Sequence, residues 1–188
     1  LPKHDKIKLA SKIVFDFVKK NNRIIYGGLA INEAIKIKNK ELVIYENDDD
    51  IPDYDFYSPE PVKDSLIICE ELYKNGFNDI QCKEAFHLNT YKIKVELFEK
   101  EITDISYVWN SYYQKIPTFS VNNIRYVSPK YQIIDLFRAF TNPLLGWFKL
   151  DKYFFRYNLL EYLYINNKSI IPQNFNKKNI YNNNDIVF

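Results

Sequence analysis

The chain has 188 residues and a mass of 22.6 kDa, a length suited to one domain or one domain with an appendage. Hydrophobic residues make up 46%, with 16 Tyr and 14 Phe, enough for an aromatic-rich core. A formal net charge of +2 excludes recognition of a polyanion by bulk charge, so any such contact has to come from local clusters.

The two cysteines, Cys69 and Cys82, stand without a CxxC or paired-histidine motif. They carry no zinc signature and fit reduced thiols in a cytosolic-type compartment. No run approaches the roughly 18 apolar residues that a membrane span requires. Methionine is absent, position 1 included, so a processed or truncated chain is expected.

Ile7, Ala10, Val14, Phe17 and Val18 recur at helical spacing among lysines and predict an amphipathic helix over residues 3–20. Arg23 to Tyr26 reads as a short buried strand. Gly27 and Gly28 follow it, and Leu29 to Ile35 reads as a helix. Bare backbone at a helix start accommodates a tight turn and favours an anion; the alternative is a plain turn into a helix.

A charged loop from Lys38 to Asp50 leads to Ile51-Pro52-Asp53-Tyr54-Asp55-Phe56-Tyr57. As a strand, this stretch places Asp53 and Asp55 on one face about 7 Å apart, and Tyr54 and Phe56 in a core behind them. A rigid pair of carboxylates suits a hard cation such as Mg²⁺, whereas Asp48, Asp49 and Asp50 fit a solvated turn. Pro59 and Pro61 end the strand. Ser65 to Tyr73 predicts a helix with Leu66, Ile67, Cys69 and Leu72 inward, stopped by Asn75 and Gly76. Phe77 to Glu84 reads as a strand.

Tyr91, Ile93, Val95 and Leu97 alternate with Lys92, Lys94 and Glu96, a strand that a hairpin at Glu99–Glu101 joins to Ile102–Trp109. Asp104 lies in that second strand among residues suited to burial. It needs a cation, a partner or solvent at the strand end. Ser128 and Pro129 predict a helix start, with Ile133, Leu136, Phe137 and Phe140 as its apolar side until Thr141, Asn142 and Pro143. A further helix, Leu144 to Tyr164, carries Trp147, Leu150, Phe154, Leu159 and Leu163. Lys149, Lys152 and Arg156 share one side of it, as a solvated face or as a row that reaches a triphosphate. From Asn166 periodicity fades.

These pieces define three units: residues 1–127 as an α+β domain with a mixed sheet flanked by helices, 128–165 as a helical extension packed on it, and 166–188 as a tail or the start of a further domain. Three of the motifs occur in order: Tyr26-Gly27-Gly28-Leu29-Ala30-Ile31-Asn32, Pro52-Asp53-Tyr54-Asp55-Phe56-Tyr57 and Thr103-Asp104-Ile105-Ser106-Tyr107. In this the chain resembles the DNA polymerase β-like nucleotidyltransferase superfamily, and within it the catalytic subunits of poxvirus and giant-virus poly(A) polymerases. The resemblance spans residues 23–156.

The resemblance implies a nucleotidyltransferase fold and transfer of AMP from ATP to RNA 3′ ends. It implies that Asp53, Asp55 and Asp104 hold two Mg²⁺ or Mn²⁺ ions, and that Gly27, Gly28, Asn32, Lys149 and Lys152 serve the nucleotide, with Arg156 beside them. It further implies a cytoplasmic protein, in a viral factory or a virion if viral, working as a homodimer or with an accessory processivity subunit. The family's members have a domain beyond the catalytic and helical parts, and this chain stops first. Transfer to a tRNA or small-molecule acceptor, and a non-catalytic RNA-binding partner of the same fold, are the alternatives.

Overall fold

The computed structural model describes residues 3–45, 51–95, 98, 101–142 and 147–165. Contacts divide the chain into two units, Leu1–Ser128 and Pro129–Phe188.

The first unit is built on a seven-stranded sheet in the order β3-β4-β5-β2-β1-β7-β6. Its strands are β1 (Ile24–Ile25), β2 (Phe56–Ser58), β3 (Ile80–Glu84), β4 (Thr90–Val95), β5 (Glu101–Tyr107), β6 (Thr118–Val121) and β7 (Ile124–Val127). Pairs β1–β7 and β2–β5 are parallel and the remaining four are antiparallel, so the sheet is mixed. The helices are α1 (Lys3–Lys20), α2 (Gly27–Lys38), α3 (Pro61–Lys74) and the short α4 (Asn110–Tyr113).

Side-chain alternation gives the sheet two unlike faces. Ile25, Phe56, Ile105 and Ile93 belong to one, and they join Val14, Phe17 and Val18 of α1 and Ile68 and Leu72 of α3 in a single core. The register puts Tyr57, Ser106, Asp104, Thr90 and Lys92 on the other. Arg23 ahead of β1 and Asp64 of α3 form a two-pronged ion pair, Nε to Oδ2 at 2.7 Å and Nη2 to Oδ1 at 2.7 Å. Asp64 is buried, and this pair stands in for the solvent it has lost.

Several expectations are corrected. Ile51 to Asp55 is not ladder-paired strand, and β2 starts only at Phe56. Pro52 has no N–H to donate, and β1 offers only two residues to pair with. In α3, Leu66 and Ile67 are exposed, because the inward stripe runs through Asp64, Ser65, Ile68 and Leu72. The helix also starts four residues earlier than predicted, with Pro61 in its first turn. The β6–β7 hairpin has no counterpart among the expected elements. It turns at Asn122 and Asn123, both at positive φ, the conformation of a two-residue hairpin turn.

The second unit holds α5 (Pro129–Phe140), a 3₁₀ turn (Trp147–Lys149) and α6 (Leu150–Tyr164), with α5 and α6 packed together. Phe140 meets Phe154 and Tyr157, with 5.5 Å between ring centroids in each pair. Phe137, Trp147 and Phe154, expected on apolar faces, are largely exposed. The predicted turn at Asp48–Asp50, the residues Glu96, Leu97, Glu99, Lys100, Pro143 and Leu144, and the 166–188 tail lie outside the described residues.

Candidate active site

Asp55 is positioned by hydrogen bonds to neighbouring segments rather than by a strand of its own. Its carbonyl accepts from the Tyr26 N–H at 2.9 Å, and the preceding carbonyl, of Tyr54, accepts from Thr103 Oγ1 at 2.6 Å. The Asp104 N–H then donates to Asp55 Oδ1 at 3.2 Å, a charge-assisted bond. Two carboxylate residues 49 positions apart are thereby neighbours. The register Phe56↔Ile105 and Tyr57↔Ser106 accounts for this, since it sets the end of one strand beside the middle of the other.

The same corner receives the diglycine bend. Gly27 enters α2 at φ +69, and a β-carbon there would lie 3.3 Å from Asp55 Oδ2. Glycine is needed on both counts: it adopts the left-handed conformation cheaply and it leaves room for the carboxylate. Tyr26, at the N-cap of α2, makes no side-chain capping bond. The first N–H groups of a helix have no partner within the helix and favour an anion.

Tyr26 supplies the wall of the site. Its ring stacks on Tyr57 at 4.4 Å between centroids, and its hydroxyl shares a 2.9 Å hydrogen bond with Ser106 Oγ. Ser106 Oγ is in turn 3.0 Å from Thr90 Oγ1. Burial first, and then the Asp55 carboxylate, push the Tyr26 phenol well above its ordinary range, so it stays neutral. Asp104 acts in the same direction, which sets both carboxylates within electrostatic reach of one phenol. Lys92 of β4 stands across the ladder from Asp104.

Asp53 is exposed in the segment ahead of β2. Among the described residues, no three His, Cys, Asp or Glu side chains are already gathered as a metal-binding cluster. Asp55 and Asp104 nevertheless offer the hard oxygen donors that Mg²⁺ or Mn²⁺ prefers, and Asp53, two residues upstream, is the third such donor on the same segment.

The remaining predicted residues divide by environment. Gly28 lies in the first turn of α2. Asn32 is buried, and its Oδ1 accepts from the Ile44 and Tyr45 N–H groups at 2.7 and 3.1 Å, pinning the chain that leaves α2. Lys149 and Lys152 are exposed in the second unit, but Arg156 is buried, so the three do not form one solvated row. Tyr26, Tyr57, Thr90, Lys92 and Ser106 were not singled out from the sequence as site residues. Their signal was the alternation of the strands, which marks a face but not what that face meets.

A family model, "Poly(A) polymerase catalytic subunit", matches residues 12–146. A putative poly(A) polymerase catalytic subunit of Acanthamoeba polyphaga mimivirus is 36% identical over 133 residues, covering 71% of this chain and 22% of that protein. One from African swine fever virus is 31% identical over 166 residues, covering 84% of this chain and 34% of that protein. The crystal structure of the Megavirus polyadenylate synthase superposes with a TM-score of 0.76 at 36% identity, over 87% of this chain and 34% of that one. The chain thus spans about a third or less of the length of these proteins.

Proposed function

This chain belongs to the poly(A) polymerase catalytic subunit family, and from that premise we propose that it carries the nucleotidyl-transfer site of a polynucleotide adenylyltransferase acting on ATP and an RNA 3′ end. The observation that carries the reading is the meeting of Asp55, Asp104 and Gly27 in one corner of the sheet. Asp53, Asp55 and Asp104 would hold two divalent cations, Mg²⁺ or Mn²⁺. With them bound, the site gains the Lewis acidity that in-line phosphoryl transfer draws on at the attacking hydroxyl and at the leaving pyrophosphate.

The residues around this pair have separable tasks. The Asp104 N–H bond orients the Asp55 carboxylate, and the Tyr26 and Thr103 ties hold the Asp55 main chain in place. Gly27 and Gly28 present a backbone surface against which a triphosphate can lie, beside the start of α2. Asn32 holds the segment behind that surface through its oxygen. The two exposed lysines, Lys149 and Lys152, are proposed contacts for the nucleotide or the RNA backbone.

Among the described residues no helix is long and apolar enough to cross a membrane. A cytoplasmic setting, in a viral factory or a virion, is proposed from the viral relatives. A second copy or an accessory processivity subunit is the proposed partner.

The test is extension of an oligo(A) primer with each of the four nucleoside triphosphates. Wild-type chain is expected to prefer ATP. Asp53→Asn, Asp55→Asn and Asp104→Asn are each expected to lose about 100-fold or more in rate, at nearly unchanged melting temperature. Undiminished ATP incorporation by Asp55→Asn would refute the assignment. Single addition without preference for ATP would instead point to a transferase with a different acceptor.

A further inference from the structure

Lys92 has no task in the scheme above, yet it is the cation set against its carboxylates. It faces Asp104 across an antiparallel pair, where opposed residues bring their β-carbons to about 4.5–5.5 Å on one face. Its Nζ lies 3.2 Å from Glu101 Oε1, so the ammonium already has a second carboxylate within reach. On its other side its register partner is Lys83 of β3, a like charge that biases it toward β5. Burial lowers the pKa of Lys92, but Asp104, Glu101 and Asp55 outweigh that and hold the ammonium above the usual lysine range. The ammonium is therefore seated on Glu101 and stands beside the carboxylate of Asp104 that a divalent cation would use.

We propose that Lys92 is the built-in counter-ion of this site: seated on Glu101, its ammonium offsets the negative charge of Asp55 and Asp104 across the ladder and opposes a divalent cation bound there, and Glu101 keeps it from closing onto them. The inference rests on the reading of Asp55 and Asp104 as metal ligands. Its physical basis is that adjacent carboxylates repel, and that a cation held nearby on another carboxylate relieves the repulsion without occupying the site.

The experiment is calorimetric titration of the chain with Mn²⁺ at fixed ionic strength, alongside melting in EDTA. Lys92→Met is expected to bind Mn²⁺ about tenfold more tightly, since a unit positive charge beside a divalent ion is removed, and to melt lower in EDTA. Lys92→Arg is expected to restore both values. Glu101→Gln is expected to shift affinity the other way, to weaker binding, because the ammonium loses the carboxylate that holds it and can close onto Asp104. The double variant Lys92→Met/Glu101→Gln should then bind as Lys92→Met does. If Lys92→Met fails to fold, Lys92→Gln carries the same test. Unchanged or weaker Mn²⁺ binding by the neutral variant overturns the proposal, and an additive double variant overturns the role of Glu101. Asp55→Asn separates the two levels. If it abolishes Mn²⁺ binding while Lys92→Met changes nothing, only the counter-ion role fails. If it also leaves binding intact, the ligand reading fails.

Discussion

Replacing Gly27 with alanine adds one methyl group at the point where two constraints meet. The backbone sits at φ +69, where an alanine costs about 1–2 kcal/mol relative to glycine. The new β-carbon would also stand 3.3 Å from Asp55 Oδ2, close enough that the carboxylate has to give by a few tenths of an ångström. That carboxylate is tied through its other oxygen to the Asp104 N–H, so the shift spreads to the pair. Gly76 provides the control. It has φ +83 and open space where a β-carbon would go, so Gly76→Ala carries a similar backbone cost without touching the site. Both variants are expected to lower the melting temperature by about 2–8 °C. Gly27→Ala alone is expected to lose at least about tenfold in ATP incorporation, because reacting groups tolerate little misplacement, and to bind Mn²⁺ more weakly. Circular dichroism melts, primer extension and calorimetry on the two proteins decide it. Equal activity and equal Mn²⁺ binding in the two variants would show that Gly27 serves the backbone alone, and the close approach to Asp55 would lose its meaning.

Asp64→Asn leaves the Arg23 guanidinium without its charged partner in a buried setting, and is expected to cost about 3–5 kcal/mol in urea unfolding. A loss below about 1 kcal/mol would place that pair with weak surface bridges. Lys149→Ala with Lys152→Ala is expected to weaken apparent affinity for ATP or RNA at an unchanged melting temperature, as both side chains are exposed. Arg156→Ala, at a buried position, is expected to act on stability instead, by about 1–3 kcal/mol. Burial, and then Cys82 beside it, push the Cys69 thiol up to about 11, so at pH 8 its thiolate is scarce. Iodoacetamide at that pH is expected to label the exposed Cys82 first, as peptide mass spectrometry would show; faster labelling of the half-buried Cys69 would contradict this.

Most of the elements were legible because their signals are local. The 3.6-residue pattern of Ile7, Ala10, Val14, Phe17 and Val18 leads to α1 over the expected span, and the alternation around Ile93 leads to β4. The two strands at one end of the sheet, β6 and β7, escaped notice. They are four residues each, and their turn signal is an Asn-Asn pair rather than a glycine. In α3 the apolar residues Leu66 and Ile67 misled the choice of face, because a buried ion pair occupies the inward stripe.

The sequence alone determined which residue types were available: two acidic residues flanking Tyr54, a lone Asp104 in a strand, and a diglycine at a helix start, in the order that resembles the family. It carried this much because spacing and alternation are properties of the nearby chain. Only the tertiary structure decided that Asp55 and Asp104 are neighbours, that Gly27 has to be bare because Asp55 stands over it, and that Lys92 and Tyr26 complete the wall. Those relations come from the parallel β2–β5 register and the β4–β5 pairing. Register joins segments tens of residues apart, and it is set by the packing of whole faces rather than by any short stretch.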